Sequence, residues 1–356
     1  MVEAIDVDSP LVSGYVRGPL DQYEGNFFPG ANQSWNVLRL ESGEYRFIDC
    51  GAASLAFFKS NLDFNGTDRS QVRIDDFYFL TRPDHLVFTH YPTHLAHQFL
   101  QPPVALATFW QLPYIRGGYF RQNVKIQNFI SSRVTLRNDD VFMLILKLAP
   151  DSMAYAEVEI PDKQGRVVDR IPGFTQCLNH KHRRLCKVMV RMRGENLNGI
   201  LKVYRHSSVG PIGTANGSPS PQSAAALPPL SRHTFPLAFA INLYHEGTDT
   251  ARPFARLHLA PHEFYLKEPI VYELPFGPPE DFHVLALNPD RRHMKLQLVS
   301  PSQVRTKFIY QPLDQSYILT QPIREYGEWQ VVYHTESESW LPIVSYYCRR
   351  PAPVAE

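Results

Sequence analysis

The ten residues from Cys177 to Cys186, CLNHKHRRLC, concentrate more reactive chemistry than any other stretch of the chain. Cys177, His180, His182 and Cys186 carry the thiolate and imidazole donors that zinc takes in tetrahedral sites. One short loop would have to supply all four ligands, whereas structural zinc sites usually draw pairs of ligands from two separated pieces. The same two cysteines could instead close a disulfide across a hairpin, a bond that reducing compartments disfavour. The leading reading is a solvated, positively charged tip between two strands, with zinc and disulfide as its alternatives. Lys181, Arg183, Arg184, Lys187, Arg191 and Arg193 would then form one cationic patch able to meet nucleic-acid phosphates or an acidic partner surface.

A second cluster, HLVFTHYPTHLAHQF, holds His85, His90, His94 and His97. A short helix at 93–100 capped by Thr93 would make His94 and His97 neighbours on one face, with His90 approaching from the preceding turn. Three imidazoles around an open position suit zinc or non-haem iron, and Asp84 is a candidate carboxylate. This cluster supports the alternative function, a metal-dependent β-fold enzyme or a carbohydrate- or protein-binding module. The chain has no G-x-S-x-G elbow, no phosphate-binding glycine loop with lysine, no H-E-x-x-H and no dinucleotide fingerprint. Asp75–Asp76 and Asp139–Asp140 are adjacent pairs, which a strand would point to opposite faces; both pairs read as turns. The expectation is a protein that is not an enzyme and has no cofactor and no metal site.

The elements that would position these residues read as strands. Thirty prolines disfavour long helices, and 22 phenylalanines with 18 tyrosines suit pleated sheets. In KVMVRMR, Val188, Val190 and Met192 share one face, while Lys187, Arg191 and Arg193 share the other with Met189. The segment reads as a half-buried strand with a basic outer face. VFMLILKLAP (141–150) reads as a core strand, and AYAEVEIP (154–161) as its hairpin partner. Further strands are expected at 45–50, 72–79, 124–130, 199–205, 237–244, 255–259, 270–274, 283–287, 294–299, 304–310, 329–334 and 340–347. A second short helix is expected at 54–62.

The fold class is therefore all-β, antiparallel and sandwich- or jelly-roll-like, with few short helices. Residues 207–234, rich in Ser, Pro, Gly and Ala, cannot bury enough surface to offset ordering entropy. They divide the chain into β-domains at 1–206 and 235–356, or form an exposed insertion in one large domain.

A net charge of +1 gives no global attraction to nucleic acid or anionic membrane. No apolar run reaches the length of a bilayer span, and the start of the chain lacks a secretory signal's basic and apolar regions. An intracellular or virion setting follows. Rigid sheets, aromatic loops and missing catalytic motifs together point to a shell protein: a viral capsid, capsid-decorating or spike component. Its partners would be copies of itself or other shell proteins, with nucleic acid possible through 181–193.

Overall fold

The computed structural model describes residues 9–351 apart from 22, 55–74, 122, 130, 139, 151, 181–182, 208–236, 248–251, 259–263, 288–293 and 335–338. The described chain is mostly antiparallel β-sheet with a few short helices, so the expected fold class holds. The helix expected at 54–62 and the Pro/Ser-rich 207–234 segment lie almost wholly outside the described residues.

The N-terminal unit has strands β1 (Leu11–Val16), β2 (Gln33–Arg39), β3 (Tyr45–Ile48), β4 (Phe79–Thr81) and β5 (His90–Pro92), in the sheet order β4-β3-β2-β1-β5. Val12, Val16, Trp35, Val37, Phe47 and Tyr78 fill its core. Gly14 lets the central strands close up, because a Cβ there would collide with the Tyr91 carbonyl, the Trp35 indole and Pro92 Cα.

The middle unit comprises β6 (Tyr114–Ile115), β7 (Lys125–Ile126), β8 (Arg133–Arg137), β9 (Phe142–Leu148), β10 (Ser152–Pro161), β11 (Val167–Pro172), β12 (Phe174–His180), β13 (Arg183–Val190), β14 (Leu197–Ser207) and β15 (Leu237–Glu246). One sheet runs β11-β10-β14-β15-β6, with β8 pairing in parallel to β15; the other runs β12-β13-β9-β7. Alternation puts Leu144, Leu146, Cys186, Val188 and Val190 of the second sheet into one core with Val158, Leu201, Val203, Phe239 and Ile241 of the first.

The third unit has β16 (Arg256–Leu257), β17 (Phe264–Glu268), β18 (Pro279–Ala286), β19 (Leu296–Val299), β20 (Arg305–Lys307), β21 (Ile309–Gln311), β22 (Ser316–Pro322), β23 (Gly327–His334) and β24 (Trp340–Cys348). Its sheets run β16-β24-β23-β19-β20 and β17-β18-β22-β21, around Phe264, Phe282, Val284, Leu298, Trp329, Val331, Val344 and Tyr346.

Two expectations change, and one pairing bears on the 207–234 segment. Although β9 and β10 are neighbours in sequence, they are not a hairpin: β9 pairs with β13 and β7, and β10 with β11 and β14, so the chain crosses between sheets there. The face of β13 expected to be basic and outward is partly covered by the third unit. Phe174 and Met189 join that unit's core, and Arg191 stacks 4.7 Å from the Phe254 ring centre. Burying each of those two side chains is worth about 1.5–3 kcal/mol, which favours covering the sheet over leaving it wet. Finally, the strands flanking 207–234 pair with each other from Leu197↔His245 to Tyr204↔Leu237, so one sheet continues across that segment.

Candidate functional site

The most enclosed group of titratable side chains in the N-terminal unit is built by four short pieces of chain. Asp49 follows β3 and caps the helix Cys50–Ala53, its carboxylate accepting from Ala52 N at 2.7 Å. Gln33, on β2, donates Nε2 to Asp49 Oδ1 at 3.0 Å. His90, on β5, meets Asp49 Oδ2 through Nε2 at 3.0 Å, and its Nδ1 lies 2.7 Å from Thr89 Oγ1. The Trp35 ring stands edge-on to the imidazole, with centroids 5.0 Å apart, and Tyr78 closes another side.

Both partners are sealed, their side chains 0% (Asp49) and 1% (His90) exposed. Burial alone would raise the Asp49 carboxyl pKa. The bond and charge of His90, with the bonds from Ala52 N and Gln33, more than offset that and hold it below the ordinary carboxylate value. An imidazole that donates Nε2–H to Asp49 accepts the Thr89 hydroxyl proton at Nδ1.

Acid, base and hydroxyl thus lie in line, the order of a nucleophilic triad. A triad also needs its nucleophile open to a carbonyl, and Thr89 is 3% exposed. No thiol is among the hydrogen-bond partners of this pair within the described residues; Cys50, next to Asp49, is exposed. The geometry fixes a base without giving it a substrate-facing nitrogen.

Of the four clustered histidines, only His90 belongs to this site. His85 stacks on Phe120 at 3.9 Å, while His94 and His97 face each other near the surface at 5.4 Å. The expected helix at 93–100 is a single 3-10 turn, Leu95–Gln98, whose cap position is held by His94 rather than Thr93, with no side-chain cap bond. Asp84 pairs with Arg82. Among the described residues no three His, Cys, Asp or Glu side chains converge as metal ligands. Asp75 caps a 3-10 turn, and both Asp75 and Asp76 bond Arg121. They lie at a turn, as their adjacency suggested, and join the first and middle units. Asp140 accepts from Arg137 N, and Asp139 lies outside the described residues.

The described members of the expected cationic patch have different surroundings. Arg184 is buried and bonds Asn179 Oδ1 at 3.1 Å; Arg191 stacks on Phe254 and donates to Arg252 O. Lys187 is half-buried and Arg193 exposed. Lys181 lies outside the described residues, and the backbone alone places Arg183, at the start of β13. Cys177–His180 and Arg183–Cys186 pair antiparallel, with Cys177 directly opposite Cys186.

Comparison with known proteins gives this architecture relatives. No protein-family model matches the chain. Over 295 residues, 80% of this chain, it is 24% identical to cytokinesis protein 3 of Schizosaccharomyces pombe, spanning 30% of that protein. It is 29% identical over 128 residues, 34% of this chain, to the Lim and transglutaminase domain protein ltd-1 of Caenorhabditis elegans, spanning 18% of that protein. It is 25% identical over 150 residues, 42% of this chain, to kyphoscoliosis peptidase of Mus musculus, spanning 22% of it. The chain therefore spans less than a third of each of these relatives.

These relatives overturn the capsid, decoration or spike reading and leave the virion setting without support. β-richness, aromatic loops and missing motifs describe a sheet scaffold of any origin. None of them contains information on symmetric assembly, so the shell inference had no specific support. One relative named for a transglutaminase domain and one named a peptidase stand beside one named for cytokinesis.

Proposed function

We propose that this chain is a non-catalytic, intracellular β-rich binding segment of a cell-division protein. The observation that carries the reading is His90, buried with both ring nitrogens engaged, one on Asp49 and one on Thr89. Transglutaminase and peptidase chemistry both attack an acyl carbon and need an activated nucleophile. Here the acid and base act as a structural clasp. Similarity to cytokinesis protein 3 along 80% of the chain supports the process. Its partners are proteins, copies of itself included. Nucleic-acid contact through Lys187 and Arg193 is the weaker reading, because Arg184 and Arg191 are engaged within the fold.

The test has two parts. The purified chain is offered a glutamine-bearing protein with a fluorescent amine, and separately a peptide substrate. Turnover no greater than that of Cys50→Ala is expected; thiol-dependent turnover lost in Cys50→Ala overturns the non-catalytic reading. A fluorescently tagged chain expressed in dividing cells should concentrate at the division plane, and an even distribution overturns the assigned process.

A further inference from the structure

We infer that Cys177 and Cys186 form a reversible dithiol–disulfide couple that clamps the β12–β13 hairpin. The two residues are register partners in an antiparallel pair, directly across from each other. Directly opposed residues have Cα atoms about 4.5–5.5 Å apart, inside the roughly 4.4–6.8 Å that a disulfide spans. Their sulfurs lie 2.6 Å apart, and both side chains point into the middle core. The other two cysteines sit elsewhere: Cys50 is exposed beside Asp49, and Cys348 belongs to the third core.

The surroundings make the pair unequal. The hydrogen bond with Cys186 brings the Cys177 thiol down to about 7; burial opposes this, and the Arg184 guanidinium adds to it. Burial pushes the Cys186 thiol well up. Cys177, the less deeply buried of the two at 4% against 0%, is assigned the first attack and Cys186 the resolving step.

With hydrogen peroxide as oxidant, the Cys177 thiolate attacks one oxygen, the O–O bond breaks, and a sulfenic acid forms. The departing hydroxide takes up the proton the thiol released and leaves as water. Cys186 then attacks that sulfur. The S–S bond forms, the S–O bond breaks, and the departing hydroxide takes the Cys186 proton as water. Two thiols and one peroxide give one disulfide and two waters. A dithiol reductant reverses the bond by exchange.

The position gives the bond a consequence. Next to Cys177, Gln176 holds the third unit through paired hydrogen bonds to Leu266. Oxidation fixes the strand that carries this grip.

Trypsin supplies the test, because it cuts after Lys181, Arg183 and Arg184, between the two cysteines. The whole chain is treated with hydrogen peroxide, alkylated in denaturant and digested. The expected result is one linked species joining the 171–181 and 185–187 peptides, separated by dithiothreitol and absent in Cys177→Ser and in Cys186→Ser. Alkylation of both Cys177 and Cys186 in material whose exposed Cys50 has been oxidised overturns the inference. So does linkage of either residue to Cys50 or Cys348.

Discussion

Asp49 and His90, forty-one positions apart, meet at 3.0 Å from Oδ2 to Nε2, beneath the Trp35 ring and almost out of contact with solvent. This one contact ties the turn after β3 to the edge strand β5. Gln33 and Ala52 complete the Asp49 carboxylate, so the whole end of the sheet is organised around one acid.

Removing one member of such a pair leaves the other buried without a partner. His90→Ala is expected to cost about 3–5 kcal/mol in chemical denaturation. Because the folded Asp49 carboxyl lies below its ordinary value, its contribution is full above about pH 4. That contribution is lost as pH falls through the lower folded value. Asp49→Asn should remove this part of the acid limb. Urea midpoints measured from pH 2 to 7 check it, and an unchanged acid limb in Asp49→Asn refutes the assignment.

The seam between the second and third units offers the next prediction. Gln176 donates Nε2 to Leu266 O at 3.0 Å and accepts from Leu266 N at 2.7 Å, both buried. The side chain completes the edge of β17 as a strand would. Gln176→Ala orphans a carbonyl and an N–H, each worth about 1–3 kcal/mol when left unpaired in the interior. Hydrogen exchange at Leu266 should accelerate, and thermal unfolding should broaden or split as the third unit uncouples.

Arg17 is the corresponding tie within the first unit. Its guanidinium donates to four carbonyls, at Phe88, Phe109, Leu112 and Pro113, and lies 4.8 Å from the Phe109 ring centre. A lysine has three donors on a flexible stem and cannot reproduce that fork. Arg17→Lys should destabilise clearly, and Arg17→Met more, at about 1–3 kcal/mol for each carbonyl that water cannot reach. Denaturation curves of the two variants give the order directly.

Local patterning made much of this fold legible. Val188, Val190 and Met192 alternate inward as their spacing requires, and β23 and β24 fall where aromatic and β-branched runs place them. What period two cannot supply is the partner. It groups Lys187, Met189 and Arg191 on one face but does not reveal that Phe254 and the third core cover part of it. Asp49 and His90 belong to no local motif, so only the sheet brings them together. The first sheet was hardest to read, because LVSGYV and QSWNVLR interrupt their apolar alternation with Gly14, Ser13, Gln33 and Ser34. Gly14 is a point of close approach between strands, which a lone glycine in the sequence does not declare.

That glycine yields the last prediction. An added methyl at position 14 meets backbone on one side and the Trp35 indole on the other, and backbone cannot swing aside as a flexible side chain could. Gly14→Ala should therefore cost at least the usual overpacking penalty of about 1–3 kcal/mol, even though alanine is a mild change in chemistry. Because β1 pairs with both β2 and β5, the strain should also part His90 from Asp49. Tryptophan emission from Trp35 should shift and the acid limb of the stability curve should flatten toward that of Asp49→Asn. A Gly14→Ala protein with unchanged stability and emission would mean that β1 and β5 are not packed this closely.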